Sequence, residues 1–457
     1  MFPHRAPARL HPRRHGRLPS VAPRARALAI AGALVALCAG SVGAQDSAGV
    51  RRDSTAAPAR PRPVPPASRP DSASRDSTAA AQRPTHPRGA HGAHGVRVCA
   101  GGDVTLGTNL DTAWTAVASH RLGRRVPALP DPDSLLAPLR PLFRGADVVL
   151  LNVEGAIGEG EAPAKCPPGA TACYALRQPA AAAAALRGVA GDSTAVVGNV
   201  ANNHARDAGL PGFDETVERL TAAGVLVTGA DTAATEVVTP RGDTLAVLGF
   251  STSGGGAPDA RDLAGVRRIV AAAAARYHRV IVTMHLGAEG ARAQRTRDST
   301  ERYFGYSRGN PVAFARAATE AGADLVIGHG PHVVRAMQWR RGALVAYSLG
   351  NLLTYGPFQL AAPLDRGAVL CATLDVNGAP RAAELRATRQ RRPGHAAPDP
   401  TRRAVRLVDS LSRLDFPRTR ARMSARGVVT VPRHGVVRPA APARKAGARL
   451  AWEHDRG

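Results

Sequence analysis

Residues 96–103 read Val-Arg-Val-Cys-Ala-Gly-Gly-Asp, an apolar run that passes into a Gly-Gly turn and ends in a carboxylate. Four later apolar runs also end in polar side chains. Their ends are Asn152-Val-Glu154, Asn202-Asn203-His204, His285 and His329-Gly-Pro-His332. Short apolar runs of this kind suit buried strands, and the carboxyl ends of parallel strands meet at one edge of an α/β sheet. The sequence therefore predicts an α/β fold with polar side chains gathered along that edge.

Short apolar runs alternate with amphipathic stretches over residues 96–392. Strands are predicted at residues 96–106, 147–153, 195–199, 244–250, 279–285, 324–329, 344–348 and 369–376. Helices are predicted at residues 132–143, 213–223, 261–277 and 311–321. This length, about 290 residues, is enough for one large layered domain. From residue 393 to 457 the chain is basic and rich in Arg and Pro, so we predict a mostly disordered tail with one short helix at residues 405–414.

The first 44 residues have the pattern of an export signal. Arg24 and Arg26 precede an uncharged run over residues 27–44, and Val42-Gly43-Ala44 matches the small residues of a signal-peptidase site. The run is rich in Ala and Gly, and it is short for a transmembrane helix. We therefore expect a protein that is exported to the periplasm or the cell surface and that is held at the membrane only if the signal stays uncleaved.

Residues 45–95 predict a disordered linker. They are rich in Pro, Ser and Arg and contain almost no large apolar residue. Such a segment cannot bury enough surface to offset its chain entropy.

Positive charge is concentrated in the flanks of the chain. The 61 Lys and Arg residues exceed the 35 Asp and Glu residues to give a net charge of +26, yet residues 97–392 carry only +6. Residues 1–44, 45–96 and 393–457 carry +7, +4 and +9. Basic flanks attract polyanions in general. Because no zinc finger and no basic sheet with interleaved aromatic residues accompanies them, we expect no nucleic-acid partner.

Four cysteines follow the predicted signal: Cys99, Cys166, Cys173 and Cys371. In an oxidising compartment they allow three sets of pairs. Cys166 and Cys173 flank a short loop that a disulfide would close. Cys99 and Cys371 lie in the first and the last predicted strand, and they are either a second pair or two small core residues.

The side chains at the five strand ends are Asp, Glu, Asn and His. This is the ligand set of divalent ions such as Mn, Fe, Zn or Mg, and the lack of Cys at these ends argues against a thiolate site. Two carboxylates with three or four imidazoles are more than one catalytic zinc needs, and they suit two metal ions that share a carboxylate. Each motif alone is weak evidence, because a lone Gly-Asp is usually a turn. Their joint occurrence, each after an apolar run, predicts one or two divalent metal ions.

The motifs form a series along residues 96–376. They are Gly102-Asp103-Val-Thr-Leu-Gly, Asn152-Val-Glu154, Ala201-Asn-Asn-His-Ala-Arg-Asp207-Ala-Gly209, His285-Leu-Gly-Ala-Glu289, Gly328-His-Gly-Pro-His332 and Tyr347-Ser-Leu-Gly-Asn351. This series resembles that of the CapA family, the poly-γ-glutamate capsule synthesis proteins related to the calcineurin-like metallophosphoesterases. The resemblance implies a four-layer α/β/β/α sandwich with its ligands at the sheet edge.

The resemblance also implies roles for individual residues. The positions that match metal ligands are Asp103, Glu154, Asn203, His285 and His329 or His332. Glu154 matches the carboxylate that bridges two ions. His204 matches a catalytic histidine placed near the leaving group, as an acid or a donor to the transition state.

Three departures from the family pattern concern the same region. The Asp-x-His opening of true metallophosphoesterases is Asp103-Val-Thr105 here, so one ligand is missing. Their closing His-x-His is replaced by His329-Gly-Pro-His332. Leu286 and Gly290 stand where the family has an aromatic pair. The first two departures bear on whether two ions are held, and the third bears on the substrate cleft.

Two further carboxylates are candidate catalytic residues, each with an alternative. Asp207 either orients His204 or caps the helix that follows it. Glu289 is a partner of the metal ligands, a catalytic acid, or a solvated loop carboxylate.

Two functions follow from this reading. The first is a metal-dependent hydrolase of a phosphoester that acts outside the cytoplasm. The second is a non-catalytic scaffold in the synthesis or export of a capsule polymer, whose basic flanks hold an anionic polymer and which works with other capsule-synthesis proteins.

Overall fold

The computed structural model describes residues 95–107, 131–159, 165, 174–254, 256–356 and 358–432. The signal predicted at residues 1–44, all but the last residue of the linker predicted at 45–95, and both Cys166 and Cys173 lie outside the described residues. Among the described residues, no helix is both long enough and apolar enough to cross a membrane.

Nineteen strands are described, and most are short. In chain order they are β1 (Val96–Thr105), β2 (Val148–Val153), β3 (Ala156–Ile157), β4 (Arg177–Gln178), β5 (Ala195–Asn199), β6 (Val225–Thr228), β7 (Thr235–Val238), β8 (Thr244–Ser251), β9 (Val280–His285), β10 (Arg302–Tyr303), β11 (Tyr306–Ser307), β12 (Leu325–His329), β13 (Met337–Arg340), β14 (Ala343–Ala346), β15 (Asn351–Thr354), β16 (Arg366–Leu374), β17 (Pro380–Arg391), β18 (His395–Pro398) and β19 (Val428–Val429).

The described helices connect these strands. They are α1 (Pro132–Leu136), α2 (Ala182–Arg187), α3 (Gly209–Ala222), α4 (Leu263–Ala274), α5 (Pro311–Glu320) and α6 (Arg403–Asp415). The helix predicted at residues 132–143 begins as α1 and continues as a 3-10 helix over Ala137–Phe143. Pro141 lies inside this second part, and a proline there lacks the N–H that a continuous α-helix needs.

Two large sheets carry most of the strands. The first has the order β18-β17-β16-β1-β2-β5-β6, with β15 also beside β1 and β19 beside β17. The second has the order β13-β14-β12-β9-β8-β7. The central strands of each sheet are parallel, namely β1, β2, β5 and β6 in the first and β8, β9, β12 and β14 in the second. Their carboxyl ends therefore lie on one edge of each sheet.

The two sheets pack face to face, with helices on both outer faces. Val98 of the first sheet and Ile281 of the second belong to one fully buried core between the sheets. On the outer face of the first sheet a second core includes Leu136 and residues of α2 and α3. On the outer face of the second sheet a third core includes Phe314 and residues of α4 and α5. The chain thus folds as the expected α/β/β/α arrangement of four layers.

Cys99 and Cys371 form a disulfide bond between β1 and β16. They lie directly opposite each other in the antiparallel pairing of these strands, and both are fully buried. Of the two readings left open by the sequence, a disulfide pair is the one observed.

Residues 393–432 belong to the folded domain, so the boundary predicted at residue 392 and the mostly disordered tail predicted from 393 onward are wrong for this segment. Both β18 and β19 pair with β17. Helix α6 buries Ala404, Val405 and Val408 in the core between the sheets. The apolar positions recur at helical spacing, but the many Arg residues on the opposite face hide this pattern in the overall composition.

The packing of α6 predicts different effects for two leucines on the same helix. Leu411 is 5% exposed and Leu414 is 59% exposed. We expect Leu411→Ala to lower the free energy of unfolding by about 2–4 kcal/mol, because a buried leucine leaves a cavity. Leu414→Ala should change it by less than about 0.5 kcal/mol. Urea unfolding of both variants checks this, and equal effects would show that α6 does not stabilise the domain.

Candidate metal centre

The polar strand ends predicted from the sequence meet in the gap between the two sheets. Asp103 lies in β1 and Glu154 directly follows β2, both in the first sheet. His285 ends β9 and His329 ends β12 in the second sheet. These two histidines are partners in the parallel register of their strands. Both sheets therefore contribute side chains to one site.

The Gly101-Gly102 pair predicted as a turn lies instead inside β1, where the pairing with β2 shifts register between Ala100 and Asp103. A Cβ atom added to Gly102 would lie 1.9 Å from the carbonyl oxygen of Gly350. The backbone of the loop before β15 passes this close because the Asp103 N–H donates a hydrogen bond to the same oxygen, at 3.0 Å. Glycine is therefore required before Asp103 to let the two backbones meet.

Asp103 is fully buried, and neighbouring side chains contact both of its carboxylate oxygens. The side-chain amide of Asn152 donates to Oδ1 at 2.9 Å, and His329 Nδ1 lies 3.4 Å from the same oxygen. His332 Nδ1 lies 3.1 Å from Oδ2. Burial alone would raise the pKa of Asp103, but the hydrogen bonds and positive charge of the two histidines hold it below its ordinary value. Asp103 is therefore ionised.

Glu154 is the second buried carboxylate. Its Oε1 lies 3.3 Å from His285 Nε2 and 3.8 Å from His332 Nε2. Burial and the negative charge of Asp103 raise the pKa of Glu154 to about 7. Burial and the nearby Arg308 guanidinium hold the pKa of His285 well below its ordinary value. The imidazole of His285 is therefore neutral, as a metal ligand must be.

His332 lies among three carboxylates and has a left-handed backbone with φ of +59°. Besides Asp103 and Glu154, its Nε2 lies 3.6 Å from Glu289 Oε2, and its Nδ1 lies 3.0 Å from Asn351 Oδ1. Burial would lower the pKa of His332, but the carboxylates around it raise that pKa well above the ordinary value. Ligand atoms of Asp103, Glu154 and His332 all lie within 4.8 Å of one another.

Several buried polar atoms of this group have no hydrogen-bond partner among the described residues. They are Glu154 Oε2, Asn203 Oδ1, His285 Nδ1 and His329 Nε2. Buried polar atoms are normally paired, and these are carboxylate, amide and imidazole atoms that divalent cations bind. The donor set therefore fits a divalent metal ion. Of the six predicted ligands, five form one contact network, and Asn203 lies on the wall of the adjoining cleft.

His204 and Asp207 form a second contact beside the metal ligands. His204 Nδ1 lies 2.7 Å from Asp207 Oδ2, and Asp207 is buried. Asp207 also accepts the Leu176 N–H at 2.7 Å and pairs with Lys165. The residue at the N-cap of α3 is Ala208, which makes no side-chain capping bond. Asp207 therefore orients His204 and does not cap the helix.

Glu289 is largely buried, so it is not a solvated loop carboxylate. Its Oε1 lies 2.8 Å from Arg308 Nη2. Burial would raise the pKa of Glu289, but hydrogen bonding and charge from His332, together with Arg308, lower it to about 2. Since it stays ionised at neutral pH, Glu289 acts as a partner of His332 and not as a proton donor.

A buried ion pair fixes the backbone of the loop that carries Glu289. Arg335 is 1% exposed and donates from two nitrogens to the two carboxylate oxygens of Glu301, at 2.9 and 2.8 Å. The same pair binds both backbone groups of one residue: Glu301 accepts the Ala288 N–H at 2.7 Å, and Arg335 donates to the Ala288 carbonyl at 3.2 Å. This clamp fixes the backbone next to Glu289.

Sequence reasoning missed several residues that the structure brings to the site. They are Lys165, Arg308, Glu301, Arg335 and the amide pair of Asn152 and Asn199, in which Asn199 Nδ2 donates to Asn152 Oδ1 at 2.9 Å. The sequence could have indicated Asn152 and Asn199, because a polar residue inside an apolar strand is buried and needs a hydrogen-bond partner. The others lie in loops whose composition carries no pattern.

A family model described as bacterial capsule synthesis protein PGA_cap matches residues 97–355. The match covers more than half of the chain, so this protein belongs to the family of bacterial capsule synthesis proteins that the motifs indicate. Its relatives include the PGA biosynthesis protein CapA of Bacillus subtilis (strain 168), which is 29% identical over 177 residues, 35% of this chain and 43% of that protein. The aligned part thus spans less than half the length of this relative.

A solved structure of a 5'-nucleotidase precursor from Thermus thermophilus is also similar. It has a TM-score of 0.33 and 13% sequence identity, over 64% of this chain and 54% of that chain. A similarity this low does not establish a shared architecture.

The contact between Asn152 and Asp103 predicts an indirect effect on metal binding. We expect Asn152→Ala to lower the affinity for Mn²⁺ or Zn²⁺ about 10- to 100-fold, because Asp103 loses the donor that orients it. His285→Ala should abolish retention of the metal. His395→Ala removes an exposed histidine of β18 and should leave retention unchanged. Metal content after dialysis, measured by mass spectrometry, tests all three, and equal retention by wild type and His285→Ala would contradict the assignment.

Proposed function

We propose that this protein acts outside the cytoplasm in the synthesis or export of a capsule polymer such as poly-γ-glutamate, as a divalent-metal-dependent hydrolase of the phosphoesterase type. The observation that carries the proposal is the cluster of buried carboxylates and imidazoles, with unpaired ligand atoms, at the wall of an open cleft. Family membership supports the link to capsule synthesis. The disulfide between Cys99 and Cys371 supports export, since such bonds persist in oxidising compartments.

The residues that would hold the metal are Asp103, Glu154, His285, His329 and His332, with Asn203 on the cleft side. A bound Mn, Fe, Zn or Mg ion, or two of them, would supply a Lewis acid and an activated water. The chain's own residues provide the rest. Asp103 stays ionised and His285 stays neutral, so both are in the state that a metal binds. Glu289 and Asn351 fix the ring of His332.

His204 is placed for proton transfer. Its Nδ1 is engaged by Asp207, so Nε2 is the ring nitrogen left for a substrate in the cleft that His204 lines. In this arrangement His204 would deliver a proton to the departing alcohol oxygen, and Asp207 would hold the ring in one orientation. Lys165 and Arg308 line the same cleft, where they pair with Asp207 and Glu289 and hold these carboxylates in place.

This mechanism separates metal binding from proton transfer. We expect His204→Ala to lose about 10²- to 10⁴-fold in turnover of a chromogenic phosphodiester while it keeps its metal. Asp103→Asn should lose both metal and turnover. His395→Ala is the matched control for the first variant. Assays with added Mn²⁺ or Zn²⁺, run beside metal analysis, measure these effects, and full turnover by Asp103→Asn would exclude a metal-dependent hydrolase.

A basic surface favours a second candidate, a scaffold that binds an anionic polymer. Residues 393–432 carry eight Arg and three Asp, and Arg402, Arg403 and Arg406 at the start of α6 are exposed. A folded basic helix face can bind a polyanion such as poly-γ-glutamate through charge, with strong dependence on salt. This binding would not require the metal.

The scaffold candidate predicts several-fold weaker polymer binding at low salt for Arg403→Gln/Arg406→Gln, because two positive charges leave the surface. Arg267→Gln/Arg268→Gln on α4, which covers the outer face of the second sheet, removes the same charge and serves as the control. Asp103→Asn should bind as wild type does. Titration of poly-γ-glutamate at several salt concentrations measures this, and binding that depends on Asp103 alone would count against a scaffold.

A further inference from the structure

The cleft beside the metal ligands is large and rich in aromatic side chains. It has a volume of about 860 Å³ and is lined by Glu154, His204 and His332 on its inner side. Its outer walls include five aromatic residues, here called the aromatic rim: Tyr174, Tyr303, Phe304, Tyr306 and Phe358. Only 4% of the chain is aromatic, so the cleft holds far more aromatic side chains than the composition alone would place there.

The exposure of these side chains points to a ligand. Tyr174, Phe304 and Tyr306 are 36%, 66% and 77% exposed, and they are the exposed aromatic residues among the described parts of the chain. All three line this cleft. Apolar rings that face solvent at the mouth of a cavity are typical of binding sites.

The rim consists of two walls, each with a pair of aromatic rings in contact. On one wall Tyr174 and Phe358 are stacked, with ring centroids 6.1 Å apart and an interplanar angle of 20°. On the other wall Tyr303 and Phe304 are in contact, with centroids 4.4 Å apart. Burial raises the pKa of Tyr303. The charges of Glu289 and His332 and the hydroxyl of Tyr174 also act on this pKa, so all three groups lie near Tyr303. Tyr303 therefore lies near both the candidate metal centre and Tyr174.

The second wall is a tight hairpin with an unusual backbone. β10 and β11 pair through Tyr303 and Tyr306, and the two residues between them, Phe304 and Gly305, have φ of +46° and +80°. Positive φ at both positions is typical of a type I′ turn, which favours Asn or Gly. A phenylalanine with positive φ is rare, and such backbone strain concentrates at functional sites.

Three cationic side chains line the cleft, and each is paired with a carboxylate: Arg308 with Glu289, Lys165 with Asp207 and Arg261 with Asp259. Arg308 follows the hairpin directly and is buried against Glu289. A ligand that suits this cleft carries an anionic group for a divalent ion held by the inner residues, and a ring for the aromatic rim.

We propose that the aromatic rim binds the ring of a ring-bearing organic phosphate whose phosphoryl group lies at the metal ligands. This inference rests on the proposed phosphoester function and adds to it the class of substrate. An aryl or nucleoside ring and a sugar ring share the flat apolar face that such a rim contacts.

The test is binding of two non-hydrolysable probes to the full chain loaded with Mn²⁺. Phenylphosphonate and methylphosphonate present the same anionic group with and without a ring. We expect the wild type to bind phenylphosphonate about tenfold more tightly, as contacts with two or three aromatic side chains would give. Phe304→Ala/Tyr306→Ala should lose this preference and bind both probes equally. Leu414→Ala, an exposed apolar side chain on α6, should keep the preference.

Calorimetric titration gives these affinities without reference to turnover. Equal binding of both probes by the wild type, or no binding of either, overturns the inference. Turnover of a phosphodiester by the wild type, lost in Asp103→Asn, tests the hydrolase proposal separately. Glucose 1-phosphate as a third ligand distinguishes the source of the ring. If the double variant binds glucose 1-phosphate more weakly than the wild type does, the rim contacts a sugar ring. If its affinity for glucose 1-phosphate is unchanged while its preference for phenylphosphonate is lost, the rim contacts an aromatic ring.

Discussion

The buried charge of Asp103 is the constraint on which the arrangement of the site depends. A carboxylate that is fully buried is stable only if neighbouring groups replace the water it has lost. Asn152 from the first sheet, His329 at the end of β12 and His332 in the loop that follows do this. The two sheets must therefore meet with the ends of β1 and β12 side by side. The same geometry brings Glu154 and His285 together and leaves the unpaired ligand atoms that a cation can bind.

Much of the fold could be predicted because its central strands carry strong patterns. The prediction matches β5 to the residue, and β2, β8, β9 and β12 to within one residue at either end. The outer strands were missed for a physical reason. β17 is long, but its sequence is rich in Arg and Ala and has one β-branched residue, Thr388, so it depends on pairing with β16 rather than on its own propensity. The helix after residue 392 was predicted at residues 405–414, but the segment around it was assigned to a disordered tail because β18 and β19 depend on pairing with β17.

The residues of the candidate site likewise divide into those that the sequence could predict and those that it could not. The sequence could predict that the main site residues meet, because each lies in, at the end of or shortly after a strand with a clear apolar pattern. They are Asp103, Glu154, His204, His285, His329 and His332. The charges that set the state of these ligands come from loops. Arg308 lies more than twenty residues after His285 along the chain, and the Arg335–Glu301 clamp joins residues from two loops. Such pairs depend on tertiary contacts, which a local pattern does not encode.

The disulfide between Cys99 and Cys371 joins positions 272 residues apart. Every ligand of the candidate metal centre, together with His204 and the aromatic rim, lies between these two cysteines in the chain. This part of the chain is thus a closed covalent ring. A protease that cuts one peptide bond inside the ring opens it without releasing a fragment, so both halves of the site stay attached to each other. This connectivity keeps the site in one covalent piece after a single cleavage.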